Sequence, residues 1–272
     1  MGKEIPSPKR GVAGRLEGCM GGLFHKIRHP RRCYLVCATA RSGSNLLTDG
    51  LHGTRLAGRP KQFFLPKFES EYAAKLGLEG AGFAEYVQGV IDRSATSNEV
   101  FGFKLMAWYL EEFLGRLREA YPCAPPSSHQ LLGKVFPRLK YVRIIRRNKL
   151  RQAISKARAL QTGLWKVQEG NASRAEPGFD PDLIGKCLAE VVDDDRVWDA
   201  FFHGAGVEPM VVEYEQLCSD YDATVRSTLE FIGVRIPSHT RIDMATIKQS
   251  DAMSDAWEKL YLEIHPGADQ PQ

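Results

Sequence analysis

The sequence predicts an α/β domain in which a central, mainly parallel sheet is flanked by helices. Three observations support this prediction. Four short apolar runs have the length of buried strands, helix-periodic segments follow them in alternation, and 272 residues are enough for one substantial core. Strands that alternate with helices form layered domains with parallel sheets. We therefore expect a single α/β domain without internal repeats.

The first part of this pattern contains two strand–helix units. The first strand is predicted over residues 33–39, and a helix rich in leucine begins at about Ser44. The second strand is predicted over residues 100–105, and a helix follows it to about Leu117. Each unit places a loop between the carboxyl end of a strand and the next helix.

A proline-rich loop separates these units from the second part of the pattern. Residues 121–128 contain three prolines, which fix φ and remove hydrogen-bond donors, so this segment cannot be the interior of a helix. The remaining predicted elements are a strand at residues 140–145, a long helix from after Arg147 to about Lys166, a strand at residues 209–213 and a helix that ends near Gly233.

The composition limits the cellular setting and the classes of partner. The formal net charge of +4 suits an anionic small molecule but is too small to indicate nucleic-acid binding. The six cysteines form no C-x-x-C pair, which favours reduced thiols and a cytoplasmic location. No apolar stretch approaches the roughly 20 residues that a membrane span needs.

The N-terminal segment differs from the rest of the chain. Residues 1–32 are rich in glycine, lysine and arginine and show little periodicity, which predicts a basic, solvated extension before a domain over residues 33–272. A weak contact of this extension with a membrane surface stays an open alternative, as does a homodimer of the whole chain.

The segment between the first strand and the first helix has the features of an anion-binding loop. Arg41, Ser42, Gly43, Ser44 and Asn45 stand where unpaired backbone N–H groups and the helix dipole favour a phosphate. The kinase pattern G-x-x-x-x-G-K-[ST] is absent, so a single phosphosulfate fits this loop better than a nucleoside triphosphate. The simpler alternative is an ordinary helix start with Ser44 as its N-cap.

A second candidate for phosphate binding follows the third strand. Arg146 and Arg147 end this strand, and Ser155 lies two turns into the next helix, so an arginine and this serine could hold one phosphate between them. The alternative is a solvated basic helix face, because Lys149, Arg151, Lys156 and Arg158 occupy the same region.

Together these segments resemble the bacterial Stf-zero, or trehalose 2-sulfotransferase-like, family of sulfotransferases that depend on 3′-phosphoadenosine-5′-phosphosulfate (PAPS). The resemblance covers six segments in order: YLVCATARSGSNLL (34–47), GRPKQFF (58–64), GFKLMAW (102–108), RRNKLRQAISKARALQTGLW (146–165), PMVVEYEQL (209–217) and KQSDAMSDAWEKLY (248–261). It implies a P-loop-like sulfotransferase fold, PAPS as the donor and a hydroxyl of a sugar or glycolipid as the acceptor.

The resemblance also assigns roles to residues. It implies that Arg41 to Asn45 bind the 5′-phosphosulfate and that Arg147 and Ser155 bind the 3′-phosphate, with Arg146 as a substitute for Arg147. Lys248 and Gln249 match the C-terminal cofactor-contacting segment of the family. Arg41 and Lys104 are expected to stabilise charge on the leaving phosphate oxygen. No metal is implied, since the histidines lack ligand spacing.

One position departs from the family pattern. Where the family has a glutamate proposed as general base, before a Phe-Phe pair, this chain has Gln62 followed by Phe63 and Phe64. An amide cannot take up the acceptor proton at neutral pH, so His52, which has the best-suited intrinsic pKa, is the first candidate for a substitute base. Glu69 and Glu71 are the other candidates.

The acceptor surface and the class of activity have alternatives. Phe63, Phe64, Trp108 and Tyr109 are candidates for a flat surface on which a sugar ring stacks, although aromatic residues at such spacing are more often core. An active sulfotransferase is the favoured function. A PAPS-binding pseudoenzyme that lacks the general base is the main alternative, and a nucleotide kinase is disfavoured by its missing loop signature.

Overall fold

The computed structural model describes residues 30–123, 127–165, 176–237, 239–242, 244 and 252–267. Within these residues the chain forms a four-stranded sheet with helices on both faces. The predicted extension, residues 1–32, lies almost entirely outside the described residues. The strands are β1 (Arg32–Ala38), β2 (Val100–Met106), β3 (Leu139–Ile145) and β4 (Met210–Glu213).

The helices alternate with these strands along the chain. They are α1 (Ser44–Gly53), α2 (Pro66–Leu76), α3 (Phe83–Ser94), α4 (Leu110–Ala120), α5 (Ser128–Val135), α6 (Lys149–Thr162), α7 (Pro181–Ala205), α8 (Tyr214–Ser219), α9 (Tyr221–Phe231) and α10 (Ala252–Ile264). A short 3₁₀ turn, Ala107–Tyr109, joins β2 to α4.

All strand pairs in this sheet are parallel, in the order β2-β1-β3-β4. The carboxyl ends of the four strands therefore meet at one edge, and β1 leaves that edge between β2 and β3. The predicted α/β class with a parallel central sheet is confirmed, and each strand begins or ends within one residue of its predicted bounds. Ligands of open α/β sheets bind at this edge.

The burial of β1 explains why this strand is apolar from Cys33 to Ala38. Successive side chains point to opposite faces, so Leu35 packs into a cluster with Phe103, whereas Val36 packs into a second cluster with Leu47. Both faces are covered by helices, and Leu35 and Val36 are fully buried. A strand buried on both faces reads as a continuous apolar run.

Helix α6 lies across the carboxyl edge of the sheet. The buried amide of Gln152 donates hydrogen bonds to Thr39 Oγ1 at 2.9 Å and to the carbonyl of Ala40 at 2.7 Å. Asn148 caps the helix by accepting a hydrogen bond from the amide of Arg151 at 2.8 Å. The helix ends at Thr162, before Gly163 in a left-handed conformation, and is thus shorter than predicted.

The longest helix, α7, packs along α6 and was not predicted from the sequence. Its indole Trp198 Nε1 donates a 3.1 Å hydrogen bond to the carbonyl of Ala38, which ties the helix to the end of β1. The predicted single helix after β4 is instead two helices, because Asp220 ends α8 and accepts a hydrogen bond from the amide of Ala223 in α9.

Two further features concern thiols and membranes. Within the described residues Cys33, Cys37, Cys123, Cys187 and Cys218 are free thiols, and Cys19 lies outside those residues. None of the described helices combines the length and apolar character that a membrane crossing requires.

Candidate active site

A cavity of about 520 Å³ opens at the carboxyl edge of the sheet. It is bounded by the loop after β1, the ends of β2 and β3, the first turn of α2, and parts of α6, α8 and α10. The described residues that line it are Thr39, Ala40, Arg41, Gly43, Ser44, Asn45, Leu46, Gln62, Leu65, Lys67, Phe68, Lys104, Met106, Trp108, Arg146, Arg151, Ser155, Lys156, Trp165, Tyr214, Cys218, Met244 and Ser254.

The charge of this lining has one sign. Its ionisable side chains include Arg41, Lys67, Lys104, Arg146, Arg151 and Lys156, whereas no aspartate or glutamate belongs to the lining among the described residues. A concave site lined by one sign of charge concentrates counter-ions of the opposite sign. The cavity is therefore suited to a small molecule with several negative charges.

The loop after β1 brings its backbone close to this space. Gly43 has φ of 89°, and a Cβ at this position would lie 2.4 Å from Tyr214 Cδ2, so only glycine fits. Gly43 is also the N-cap of α1, and no side chain caps this helix. The first-turn amides thus lack a side-chain acceptor, as expected of an anion site. Ser44 is the first helical residue and not the cap.

Arg41 joins this loop to α6. Its Nε donates a 2.9 Å hydrogen bond to Ser155 Oγ, and its Nη1 donates a 2.6 Å hydrogen bond to the carbonyl of Trp165. Burial, together with the neighbouring charges of Arg146 and Arg158, lowers the pKa of Arg41 to about 10. An anion in the cavity would offset this repulsion between like charges.

Ser42 faces away from the cavity. It is fully buried, and its Oγ donates a 2.9 Å hydrogen bond to the carbonyl of Thr39. The expectation that its hydroxyl contacts a ligand is therefore wrong for this structure, because the hydroxyl closes the turn of the loop.

Lys104 reaches the cavity from β2. It is only 5% exposed, and its Nζ donates to Asn45 Oδ1 at 2.5 Å and lies 3.4 Å from Ser44 Oγ. The ammonium group is thus placed at the N-terminus of α1, where it adds to the positive potential of the helix dipole. The structure thus brings Lys104 into contact with Ser44 and Asn45, and Arg41 lines the same cavity.

The two arginines after β3 point in different directions. Arg146 lines the cavity, lies over the ring of Tyr214 at 4.6 Å, and has a buried Nε without a hydrogen-bond partner among the described residues. Arg147 is exposed and pairs with Glu213 at 3.3 Å. It does not belong to the cavity lining. The geometry thus favours Arg146, the sequence-based substitute, over Arg147.

Gln62 lies beside Lys104. The amide of Lys104 donates a 2.9 Å hydrogen bond to the carbonyl of Lys61, which holds this segment against the end of β2, and Gln62 lines the cavity. The following Phe63 and Phe64 are 3% and 1% exposed and pack in the core. The prediction that they contact the acceptor is therefore corrected, since their rings are enclosed by other apolar side chains.

Trp108 is the exposed member of the four predicted aromatic candidates. Its side chain is 58% exposed and lines the cavity, whereas Tyr109 is buried. The turn orients the indole outward because both neighbours, Ala107 and Tyr109, are buried in the core.

The candidate substitute bases do not line the cavity. His52 lies in the last turn of α1, eight residues after Ser44, which places it about 12 Å along the helix axis. Glu69 is held by Arg116, whose Nη2 donates a 2.8 Å hydrogen bond to its carboxylate. Glu71 pairs with Lys75. The prediction of a catalytic His52 is thus not supported by its position.

Several lining residues were not assigned a site role from the sequence. Arg151 and Lys156 belonged to what was interpreted as a solvated face of α6, and Lys67 stands in a helix that was not predicted. The run of basic residues in α6 was the available signal. Lys248 and Gln249 lie outside the described residues. Within those residues, no group of three or more His, Cys, Asp or Glu side chains could hold a metal ion.

The fold and the cavity define an α/β protein with a cationic cavity at the carboxyl edge of a parallel sheet. Residues 33–263 match the model of the Stf0 sulphotransferase family, and the chain belongs to this family of transferase enzymes. The resemblance inferred from the sequence is confirmed.

Two relatives and two solved structures are similar to the chain. Trehalose 2-sulfotransferase of Mycobacterium tuberculosis is 26% identical over 85% of this chain and 94% of its own length. Trehalose 2-sulfotransferase of Mycolicibacterium smegmatis is 28% identical over 86% of this chain and 95% of its own length. The sulfotransferase domain from the Synechococcus PCC 7002 olefin synthase has a TM-score of 0.47 at 17% identity, over 89% of this chain and 91% of its own. A sulfotransferase from Alicyclobacillus acidocaldarius has a TM-score of 0.44 at 14% identity, over 87% of this chain and 95% of its own.

Proposed function

We propose that this enzyme transfers a sulfuryl group from PAPS to a hydroxyl of a carbohydrate-like acceptor. The observation that carries the proposal is the cationic cavity, which has no acidic residue in its described lining and receives the uncapped N-terminus of α1. PAPS carries a phosphosulfate on the 5′-oxygen of its ribose and a phosphate on the 3′-oxygen, so it needs cationic groups at two neighbouring positions. The basic side chains of the cavity can serve both.

The first group would hold the phosphosulfate. Arg41, the amides of Ser44 and Asn45, and Lys104 surround the start of α1. The second group would hold the 3′-phosphate and consists of Arg146 and Ser155, with Arg151 and Lys156 nearby on the same helix as Ser155. The buried Nε of Arg146, without a partner in the described chain, is the donor that such a phosphate would satisfy. Arg147 is not included, because it pairs with Glu213 at the surface.

These residues would stabilise charge rather than form covalent intermediates. PAPS supplies the sulfuryl group: a new bond forms between sulfur and the acceptor oxygen as the bond from sulfur to the phosphate oxygen breaks. Lys104 and the N-terminus of α1 would stabilise the negative charge that remains on the phosphate oxygen. Arg41 and Arg146 fix the two ends of the donor and thus the direction of attack.

Gln62 would orient the acceptor hydroxyl. Gln62 lines the cavity, and the resemblance aligns it with the glutamate proposed as general base in the family. Its side-chain carbonyl oxygen can accept a hydrogen bond from the hydroxyl. No carboxylate lines the cavity within the described residues. Gln62 itself cannot take up the proton at neutral pH, so it would position the hydroxyl without serving as the general base.

The acceptor class is supported by the relatives and by one residue. Both relatives bear names that specify sulfation of a sugar. Trp108 presents an exposed indole to the cavity, and such a ring can pack against the apolar face of a sugar.

Transfer of ³⁵S-labelled sulfuryl from PAPS to a panel of sugars and glycosides tests the proposal. We expect labelled product that depends on the acceptor and falls at least about 100-fold in Arg41→Ala, which removes charged hydrogen bonds. Binding of the donor without turnover of any acceptor would instead support the pseudoenzyme. Lys75→Ala, at a surface lysine paired with Glu71, is the control and should match the wild type.

A further inference from the structure

The order of the strands divides the cavity into two sides. The loop after β1 lies in the middle, β3 and β4 contribute Arg146 and Tyr214 on one side, and β2 leads into Met106 and Trp108 on the other. The cationic residues that suit PAPS stand on the loop and on the β3 side, together with Lys104, whose ammonium group reaches from β2 to Ser44 and Asn45 at the start of α1. The acceptor must then enter on the β2 side, and this inference rests on the proposed function.

The β2 side is mainly apolar. The lining residues that belong to it include Leu65, Phe68, Met106 and Trp108. Its polar side chains are Gln62, Lys67 and Lys104, and Lys104 is directed to Ser44 and Asn45 of the loop. A tryptophan that is 58% exposed leaves a large apolar area in contact with water. Covering such area by an apolar group of a ligand is favourable in proportion to the area removed from water.

The residues next to this apolar surface, formed by Leu65, Phe68, Met106 and Trp108, are joined by a partly buried network. Arg116 donates a 2.7 Å hydrogen bond to the hydroxyl of Tyr109 and a 2.8 Å hydrogen bond to the carboxylate of Glu69. Tyr109 follows Trp108 in the turn, and Glu69 follows Phe68 in α2. Arg116 therefore holds the backbone next to both lining residues, Trp108 and Phe68. The apolar surface is thus preorganised, which reduces the entropy lost when a ligand binds.

The polar groups on this side are few for a free disaccharide. Each sugar hydroxyl that is buried without a hydrogen bond costs free energy, so a small polyol requires many directional partners. Gln62 and Lys67 can serve a small number of hydroxyls, and the Oδ1 of Asn45 already accepts from Lys104 at 2.5 Å. No carboxylate is available in the described lining.

We propose that the acceptor is an amphipathic glycoside whose sugar hydroxyl lies at Gln62 and whose apolar aglycone packs between Trp108, Phe68 and Leu65. Lys67, which lines the cavity next to Phe68, would contact the polar part of the acceptor. The enzyme then selects for an apolar group attached to the sugar and not for the sugar alone.

A series of alkyl glucosides tests this selection. Methyl, hexyl and octyl β-glucosides are compared, each below its critical micelle concentration. Calorimetry measures their affinity for the protein with bound 3′-phosphoadenosine-5′-phosphate, and the transfer assay measures their kcat/KM as acceptors. We expect the affinity and kcat/KM for octyl glucoside to exceed those for methyl glucoside at least about tenfold, since burial of two methylene groups alone accounts for that ratio. Trp108→Ala should reduce the ratio to about two.

Leu260→Ala is the matched control, because Leu260 is an exposed apolar residue of α10 outside the cavity lining and should leave the ratio unchanged. Equal affinity for the three glucosides, or no binding of any of them, would overturn the amphipathic acceptor. If labelled sulfuryl still reached free sugars in that case, the proposed sulfotransferase function would stand. Absence of nucleotide binding would instead overturn that function.

Discussion

Arg41 Nε donates a 2.9 Å hydrogen bond to Ser155 Oγ across 114 positions of sequence. The two segments that the sequence predicted as separate phosphate sites are thus in direct contact. Arg41 stands on the loop at the start of α1, and Ser155 stands in α6. The 5′- and 3′-phosphates of a bound nucleotide would therefore contact two side chains that are hydrogen-bonded to each other. A bond of this kind couples the two sites energetically.

Coupling between the two residues is the first prediction. Arg41→Ala should weaken binding of 3′-phosphoadenosine-5′-phosphate by about 10- to 100-fold, since hydrogen bonds to charged groups contribute about 1.5–3 kcal/mol. Ser155→Ala should weaken it less. Calorimetry on the double variant should give a loss smaller than the sum of the single losses. Strict additivity would mean that the contact does not matter to the ligand.

The neighbouring arginines after β3 give the second prediction. Arg146→Ala should weaken binding of 3′-phosphoadenosine-5′-phosphate about tenfold or more, but should change the affinity for adenosine 5′-phosphosulfate, which lacks the 3′-phosphate, much less. Arg147→Ala is the matched control, because this exposed residue pairs with Glu213. If Arg147→Ala caused the larger loss of affinity for the 3′-phosphorylated nucleotide, Arg147 would bind the 3′-phosphate, as the sequence predicted, and the assignment to Arg146 would be wrong.

The third prediction concerns the close approach at Gly43. Gly43→Ala should lower the free energy of unfolding by about 2–4 kcal/mol and abolish transfer, because alanine is strained at a φ of 89° and its Cβ would overlap Tyr214. Gly53→Ala, in the same helix with no atom within 4 Å of an added Cβ, should be neutral or slightly stabilising. Urea unfolding of both variants checks this. If Gly43→Ala were as stable as the wild type, the predicted overlap with Tyr214 would be contradicted.

Gln62 gives the fourth prediction. Gln62→Glu is nearly isosteric and places a carboxylate beside the acceptor, so it should raise kcat about tenfold or more at neutral pH. Gln62→Ala should lower kcat modestly by loosening the hydroxyl, and His52→Ala should match the wild type because of its distance. Transfer rates between pH 6 and 9 check all three. An inert glutamate variant together with an active alanine variant would place Gln62 away from the reacting atoms.

A buried carboxylate in α7 gives the fifth prediction. Burial raises the pKa of Asp194 to about 6, with Asp195 and Glu190 adding to the increase and Lys156 opposing it. Ionised Asp194 therefore destabilises the folded state above pH 6, and this penalty is absent below the ordinary pKa of about 4. Asp194→Asn should increase the free energy of unfolding by about 1–2 kcal/mol more at pH 8 than at pH 4.5.

The neighbouring Asp193→Asn is the control for this change, because the side chain of Asp193 is exposed, pairs with Arg196, and adds less to the raised pKa of Asp194 than Asp195 or Glu190 does. Its effect on stability should depend little on pH over the same range. A pH-independent effect of Asp194→Asn would show that burial does not penalise the charge.

The sequence predicted the strands well because their signal is local. A strand covered on both faces is mainly apolar, so β1 to β3 appear as short, largely apolar runs despite Lys104 in β2 and Arg143 in β3. Helix α7 was missed although its buried residues recur every three or four positions, from Ile184 to Phe202, because the charged Asp194 interrupts this apolar stripe. Tertiary packing against α6, which no local pattern reports, holds it in place.

The candidate site was predicted in part. The loop from Arg41 to Asn45 follows from its position between a strand and a helix, whereas the direction of a side chain depends on the path of the backbone beyond the strand. Arg146 and Arg147 are chemically identical neighbours, and only the structure separates the one in the cavity from the one at the surface. Phe63 and Phe64 were misassigned because burial of an aromatic pair is decided by distant residues such as Phe113 and Phe136.

The most direct test of the central claim compares the affinity of the wild-type protein for 3′-phosphoadenosine-5′-phosphate and for AMP by calorimetry. The two ligands differ by the 3′-phosphate alone, which we assign to Arg146 and Ser155 in the cationic cavity. The account predicts that the bisphosphate binds at least about tenfold more tightly than AMP. Equal affinities, or binding of neither nucleotide, would contradict it.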